Sequence, residues 1–377
     1  MPDRCDIIFV HSTQSDPIND RLKEMSLDEK IGQMLMIGIE GTVMDDQTQT
    51  HLKKTAPGGV ILFGCNSDNP SQLLELINSL KKSNAGRIPL LISVDEEGGS
   101  ISRMPPQLHE MPSAWSIGQM DDISFTYETG RLTAHKIKSF GFNMDFAPVL
   151  DILSNPENTV IGERAFGTTR ETVISHGIHM MKGIRDNGVI PVVKHFPGHG
   201  DTDVDSHTNL PSVSHDLDRL NRFEFAPFRK AVDENADAVM AAHILMKNID
   251  PVYPASLSET VINGILREEM GFDGVVITDD MTMGAITQNY DIGDASVRAV
   301  IAGCDIILIC HDYDRQSEAF EAIRTSVETG YIDEGRIDES VERILKLKDR
   351  YGLSDKTIDD INVNSINEKI INLMYNR

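Results

Sequence analysis

A chain of 377 residues with a hydrophobic content of 40% can bury a large core, and its length suits either two modest domains or one large barrel. Its 35 basic residues against 59 acidic ones leave a formal charge of -24, which excludes a sequence-independent grip on nucleic acid or anionic lipid and favours a neutral or small ligand. Cys5, Cys65, Cys304 and Cys310 show no CxxC spacing, so neither a zinc knuckle nor a disulfide framework is indicated and a reducing compartment suits them.

The opening stretch MPDRCDIIFVHSTQSDPIND has one short apolar patch flanked by acids. It lacks a basic region followed by a long apolar one, so residues 1–19 are read as an extension without a secretory signal. No segment approaches the roughly 18 uncharged apolar residues of a membrane span. The expectation is a cytoplasmic protein that engages neither nucleic acid nor membrane, with a monomer favoured.

Short apolar runs then alternate with longer amphipathic ones, the pattern of β/α units on a parallel sheet. The candidate strands are GQMLMIGIE (32–40), GGVILFG (58–64), PLLISVD (89–95), FNMDFAPVLD (142–151), VIPVVKHF (189–196), ADAVMAAHI (236–244), DGVVITDD (273–280) and CDIILICH (304–311). Between them lie helical patterns such as SQLLELINSLKKS, ETVISHGIHMMKGIRDNG, EFAPFRKAVDENA and SETVINGILREEMG, each ending in or near Gly or Asn. Eight such repeats predict an α/β fold, a (β/α)8 TIM-type barrel forming a single domain over residues 20–352, because closing the sheet removes both of its edges. A last long helix over 333–352 carries Asp and Glu early and Lys and Arg late, matching the helix dipole. Residues 353–377 are read as a C-terminal appendage, helical from Ile366.

A barrel predicts chemistry at the C-terminal ends of its strands. The polar tails VDEEGG (94–99), DFAPVLD (145–151), KHFPGHG (194–200), AAHI (241–244), ITDDM (277–281) and ICHD (309–312) all fall there. The densest is KHFPGHGDTDVDSH, Lys194 to His207, for which three chemistries compete. Metal binding fails, because Ser206 and Ser212 stand where a calcium loop needs Gly and Glu, and Pro197 and Gly198 forbid a helix between His195 and His199. Phosphate binding fails too, since no phosphate-loop pattern occurs and the carboxylates would repel the ligand. The third is acid/base catalysis, with Asp205 and His207 on one side of an extended segment, so that the carboxylate fixes one ring nitrogen while the other faces substrate. Residue types alone leave that reading open, as they leave Asp279 and Asp280 open between catalysis and a helix cap.

Taken together, VDEEGG with Arg103, NMDFAPVLDI, IGERAFG, KHFPGHGDTDVDSH with NLP, and GVVITDDM resemble glycoside hydrolase family 3, within it the β-N-acetylhexosaminidase branch of NagZ-type enzymes. The resemblance covers roughly residues 20 to 352, with five motifs in the family's order. It implies a barrel and a retaining removal of terminal, non-reducing N-acetylglucosamine through a covalent glycosyl-enzyme, from peptidoglycan fragments or chitooligosaccharides. It implies Asp279 as nucleophile and His207 as proton donor, supported by Asp205. It further implies substrate contacts from Asp95, Arg103, Arg164, Lys194, His195 and, lining the site from strand six, His243. No metal and no other cofactor enters this chemistry. Glu96 stands where the family usually has Gln, and Ser100 where Arg usually follows the two glycines. Because a histidine base does not repel an incoming anion, phosphate could replace water as acceptor, giving a phosphorylase with the same residues. A sugar-binding protein on a disabled barrel is the non-enzymatic alternative.

Overall fold

The computed structural model describes residues 17–202, 206 and 210–375. Eight strands form one parallel sheet: β1 (Leu35–Gly38), β2 (Gly59–Ile61), β3 (Leu91–Val94), β4 (Met144–Asp145), β5 (Ile190–Phe196), β6 (Ala238–Ala241), β7 (Val275–Thr278) and β8 (Ile307–Ile309). Each lies within its expected run. Sequential neighbours pair in parallel, β8 returns to β1, and a bridge from Ile277 to Ile306 joins β7 to the start of β8. The ring is therefore closed as a (β/α)8 barrel, and no backbone edge is left for another chain to pair with. Every residue of the eight strands is buried, which is why their sequences read as near-continuous apolar runs rather than alternating ones.

Two departures from the expected elements have local causes. β4 was expected over ten residues but keeps regular pairing only at Met144 and Asp145. Pro148 has no N–H to give, so beyond it the chain follows β5 through separate contacts, Lys194 N–H to Pro148 O at 3.2 Å and Leu150 N–H to Lys194 O at 2.6 Å. The helix expected within 258–271 winds instead as a π-helix over Thr260–Glu269. Its buried residues fall at 261 and 262, 265 and 266, and 270, a recurrence of four to five that suits the wider turn.

The outer helices follow their sequence signals. Pro70–Ser83 starts with Asn69 accepting the Gln72 N–H and buries Leu73, Leu76, Ile77 and Leu80, a stripe at helical spacing. Each such Leu or Ile contributes about 1.5–3 kcal/mol by leaving water. Glu334–Arg350 is capped by Asp333. The first described helix, Pro17–Glu24, begins before residue 20, and the last, Val363–Tyr375, begins three residues earlier than Ile366. That last helix lies beside the helix Ile123–Lys138, and Asn367 exchanges hydrogen bonds with Gln107 O and His109 N–H, both at 2.9 Å. Among the described residues no helix is long and apolar enough to cross a membrane.

Candidate active site

The strand ends converge on a cavity of about 210 Å³. That is below the roughly 300–1,000 Å³ of a drug-sized pocket and suits one small polar ring. Asp95 after β3, Lys194 and His195 from β5, Asp279 and Asp280 after β7, and Cys310 and His311 after β8 all line it, joined by Glu97, Arg103 and Arg164 from the loops. Lys194 and His195 are consecutive and would face opposite sides of a regular strand. Both reach the cavity because the β5–β6 register slips between Val193 and Phe196, a bulge that re-aims the strand end.

One wall is a closed network of charge. Lys194 Nζ lies 2.6 Å from both Asp95 Oδ1 and Glu97 Oε1. Arg164 grips Glu97 with two parallel bonds, from Nε and Nη2, each 2.8 Å. Burial opposes the charge on Glu97, but Arg164 and Lys194 overcome it and hold its carboxyl well below the usual range. Burial likewise opposes the charge on Lys194, and Asp95 and Glu97 outweigh it, so the ammonium is raised and remains charged. Gly98 lets this loop turn at φ 84°, where an added Cβ would meet Pro112 O at 2.4 Å.

A second network orients the imidazoles. Asp151, fully buried, accepts His195 Nδ1–H at 2.7 Å and the His199 N–H at 2.6 Å. Arg164 Nη2 donates to His195 Nε2 at 3.2 Å, which fixes the tautomer. His199 is buried and neutral, its basicity lowered first by burial and then by His195, with Thr202 and Ser206 hydroxyls at its two nitrogens. Ser206 lines the cavity, and its carbonyl accepts the Ala285 N–H at 3.0 Å. Gly200 is required here, because a Cβ would sit 1.8 Å from Ile152 O. Asp205 and His207, the expected acid/base pair, lie outside the described residues.

Asp279 and Asp280 are told apart by their partners. The tip of β7 is pinned on both sides, Asp279 N–H to Ala241 O at 2.8 Å and Met281 N–H to Leu308 O at 2.9 Å. Asp280 turns its carboxylate into the loop: Oδ1 accepts Thr282 N–H at 2.9 Å and Cys310 N–H at 3.0 Å, and Oδ2 accepts the Thr282 hydroxyl at 2.6 Å. Asp279 accepts only the Asp280 N–H, at 2.8 Å on Oδ1, among the described residues. Burial penalises its charge, yet His243, His195, that N–H and Lys194 together keep its carboxyl below the usual range, as a carboxylate nucleophile requires.

His243, expected to touch substrate, does not line the cavity. It is fully buried behind the β7 tip, where Nε2–H donates to Asp280 O at 3.0 Å and Nδ1 accepts the Ser256 hydroxyl at 2.7 Å. A histidine at the end of a barrel strand can face either the mouth or the neighbouring strand end, and here the Asp280 carbonyl claims it. His311, in the polar tail of the last strand, forms part of the rim with Phe63, ring centroids 5.4 Å apart. Glu97 and Asp151 were missed as site residues although both lie in polar strand tails. Their signal was an acid in a tail otherwise rich in buried residues.

The model of the glycosyl hydrolase family 3 N-terminal domain matches residues 26–347. A β-hexosaminidase of Nitrosomonas eutropha is 32% identical over 322 residues, covering 83% of this chain and 91% of the relative. The solved β-N-acetylglucosaminidase of Paenibacillus sp. str. FPU-7 superposes with a TM-score of 0.87 at 40% identity, over 93% of this chain and 68% of that one. A β-glucoside phosphorylase structure superposes with a TM-score of 0.82 at 27% identity, over 93% of this chain and 63% of that one.

Proposed function

Because the chain belongs to glycoside hydrolase family 3 and is a glycoside hydrolase, we propose that it is a retaining exo-β-N-acetylglucosaminidase working through a covalent glycosyl-enzyme. The observation that carries the reading is Asp279: a carboxylate on a pinned strand tip, facing a cavity sized for one sugar, with one oxygen unclaimed among the described residues while both oxygens of Asp280 are engaged. Asp279 attacks C1 as the bond to the leaving oxygen breaks and His207 protonates that oxygen. His207 then takes a proton from water as the water attacks C1 and frees Asp279. Asp205 holds the imidazole. Asp95, Arg103, Arg164, Lys194 and His195 bind the sugar's hydroxyls, and the two ion networks keep all of these but Arg103 at fixed positions without reorganisation. His243 acts from behind, by fixing the peptide that presents Asp279.

The substrates proposed are N-acetylglucosamine-terminated peptidoglycan fragments or chitooligosaccharides. A cytoplasmic site of action suits the free thiols of Cys65, Cys304 and Cys310. Phosphorolysis is kept as a second reading because a β-glucoside phosphorylase shares the fold so closely. A product assay with N-acetylglucosaminyl and glucosyl chromogens, with and without phosphate, separates the readings: hydrolysis gives the free sugar at a phosphate-independent rate, phosphorolysis gives the sugar 1-phosphate. Trapping with a slow fluorinated substrate should label Asp279. Labelling of another side chain, or turnover surviving in Asp279→Ala, would overturn the mechanism.

A further inference from the structure

The hairpin that brings Glu97 and Arg103 to the cavity is held from behind by a charge pair hidden from solvent. The side chains of Glu96 and Lys136 are both 0% exposed, with Lys136 Nζ 2.5 Å from Glu96 Oε1. Lys136 comes from the helix Ile123–Lys138, far along the chain. Neither residue lines the cavity. The Glu96 carboxylate also accepts the Ser102 hydroxyl, at 3.0 and 2.9 Å on its two oxygens, and the Arg103 N–H at 3.1 Å. Glu97 N–H bonds Ile101 O at 3.0 Å, and Gly98 bridges Ile101, so Glu96 closes the neck of a short antiparallel turn.

Stability alone does not call for such a pair, since buried ion pairs are often replaced by apolar residues without loss. An apolar residue at 96 could not, however, accept from Ser102 and Arg103. That acceptor role is what the pair supplies. Lys136, whose Nζ also reaches His109 O at 3.4 Å, supplies the countercharge that lets a carboxylate perform it away from solvent.

We infer that Glu96, neutralised by Lys136, is a positioning residue that locks the 97–103 hairpin and thereby sets where the Arg103 guanidinium meets the ligand. This rests on the reading of Arg103 as a substrate contact. A side-chain amide has one oxygen that can accept from both donors, so an uncharged Gln–Met pair should do the same work.

The test compares Arg103→Ala, Ser102→Ala and the double variants Glu96→Gln/Lys136→Met and Glu96→Ala/Lys136→Met, by KM and kcat on a chromogenic N-acetylglucosaminide and by thermal midpoint. Glu96→Gln/Lys136→Met should keep KM within about twofold of the parent. Glu96→Ala/Lys136→Met should raise KM about tenfold with kcat within about threefold, because binding is lost equally in ground and transition state. Both doubles are uncharged at the two positions, so a shared fall in midpoint does not account for a KM difference between them. Ser102→Ala removes one Glu96 partner without stranding a charge, and should raise KM about threefold at an unchanged midpoint. If Arg103→Ala leaves KM unchanged, the substrate-contact reading fails. If Arg103→Ala raises KM but the two doubles behave alike, the positioning inference fails. Should neither double fold, an unchanged KM in Ser102→Ala overturns it.

Discussion

Replacing Glu97 by Gln removes the charge that Lys194 and Arg164 share. Three bonds of 2.6 to 2.8 Å end on this one carboxylate, whose side chain is 4% exposed, against 2% for Lys194 and 15% for Arg164. The amide oxygen can accept from only part of that set, and Arg164 loses its bidentate partner. Stranding buried charge in this way costs about 3–5 kcal/mol. From the unfolding entropy of a chain this long, each kcal/mol moves the midpoint by roughly 1–2 °C, so a fall of roughly 3–10 °C is expected in a calorimetric melt at pH 7. Both cations line the cavity, and if they bind the sugar as proposed, losing their aim should lower kcat/KM about 100-fold or more. The pH dependence has a definite sign. The folded carboxyl titrates well below its ordinary 4.5, so its contribution is complete above that pH and is lost progressively as pH falls below it. The gap between parent and Glu97→Gln midpoints should therefore be widest near neutrality and narrow below about pH 4.5. A variant melting within about 1 °C of the parent, with kcat/KM within about twofold, would show that Lys194 and Arg164 are held by other groups and refute the network argument.

Asp280→Asn keeps the shape of the loop but turns an acceptor toward the Thr282 and Cys310 N–H groups into a mixed donor and acceptor. Activity should fall by about tenfold or less, against about 10,000-fold or more for Asp279→Asn, in parallel initial-rate assays; equal losses would undo the distinction between them. Lys348 is buried with Nζ on Gln33 Oε1 at 2.7 Å and Gly58 O at 2.8 Å, and burial pushes it down to about 7. The unfolded chain then binds a proton that the native one does not between about pH 7 and 10.5, so stability rises across that window by up to about 1.4 kcal/mol per pH unit, and Lys348→Met should flatten the rise in urea melts. An identical slope in the two proteins would contradict it. Gly200→Ala places a Cβ against Ile152 O and should cost about 1–3 kcal/mol and displace the loop that carries Ser206, read as a lower midpoint together with a raised KM; a silent substitution would mean the approach is looser than drawn.

The barrel was legible because each strand is enclosed on both faces and the helices alternate with them at their own period, so apolar run length alone separates the two. What the apolar pattern hid was irregularity. Nothing in KHFP announces that the ladder slips between Val193 and Phe196, yet without the slip Lys194 and His195 could not share a cavity. The pairings that fix the site were illegible for another reason: Glu97 with Arg164, Asp151 with His195 and Glu96 with Lys136 are each many residues apart in the chain, and a lone acid in a strand tail does not say which cation will meet it. Lys136 gave the nearest thing to a local signal, falling four residues after Leu132 and one before Ile137 on the buried side of its helix. A lysine on that side must find a countercharge.

The same pairings bear on which acceptor the site favours. Lys194 and Arg164 lie in the cavity wall, but each already faces a carboxylate at ion-pair distance, so both act there as aimed hydrogen-bond donors more than as a source of positive field. Among the described residues Arg103 is the one cavity cation without a carboxylate partner, and its Nε has no hydrogen-bond partner at all. Among the described residues, an acidic group on the leaving fragment or an anionic acceptor finds only that guanidinium uncommitted; in the proposed mechanism the acceptor arrives when Asp279 is esterified to the sugar, so Asp280 is the carboxylate it faces. Water needs no such partner. Among the described wall residues Arg103 is therefore the position at which a preference for phosphate or for an acidic fragment would have to be built.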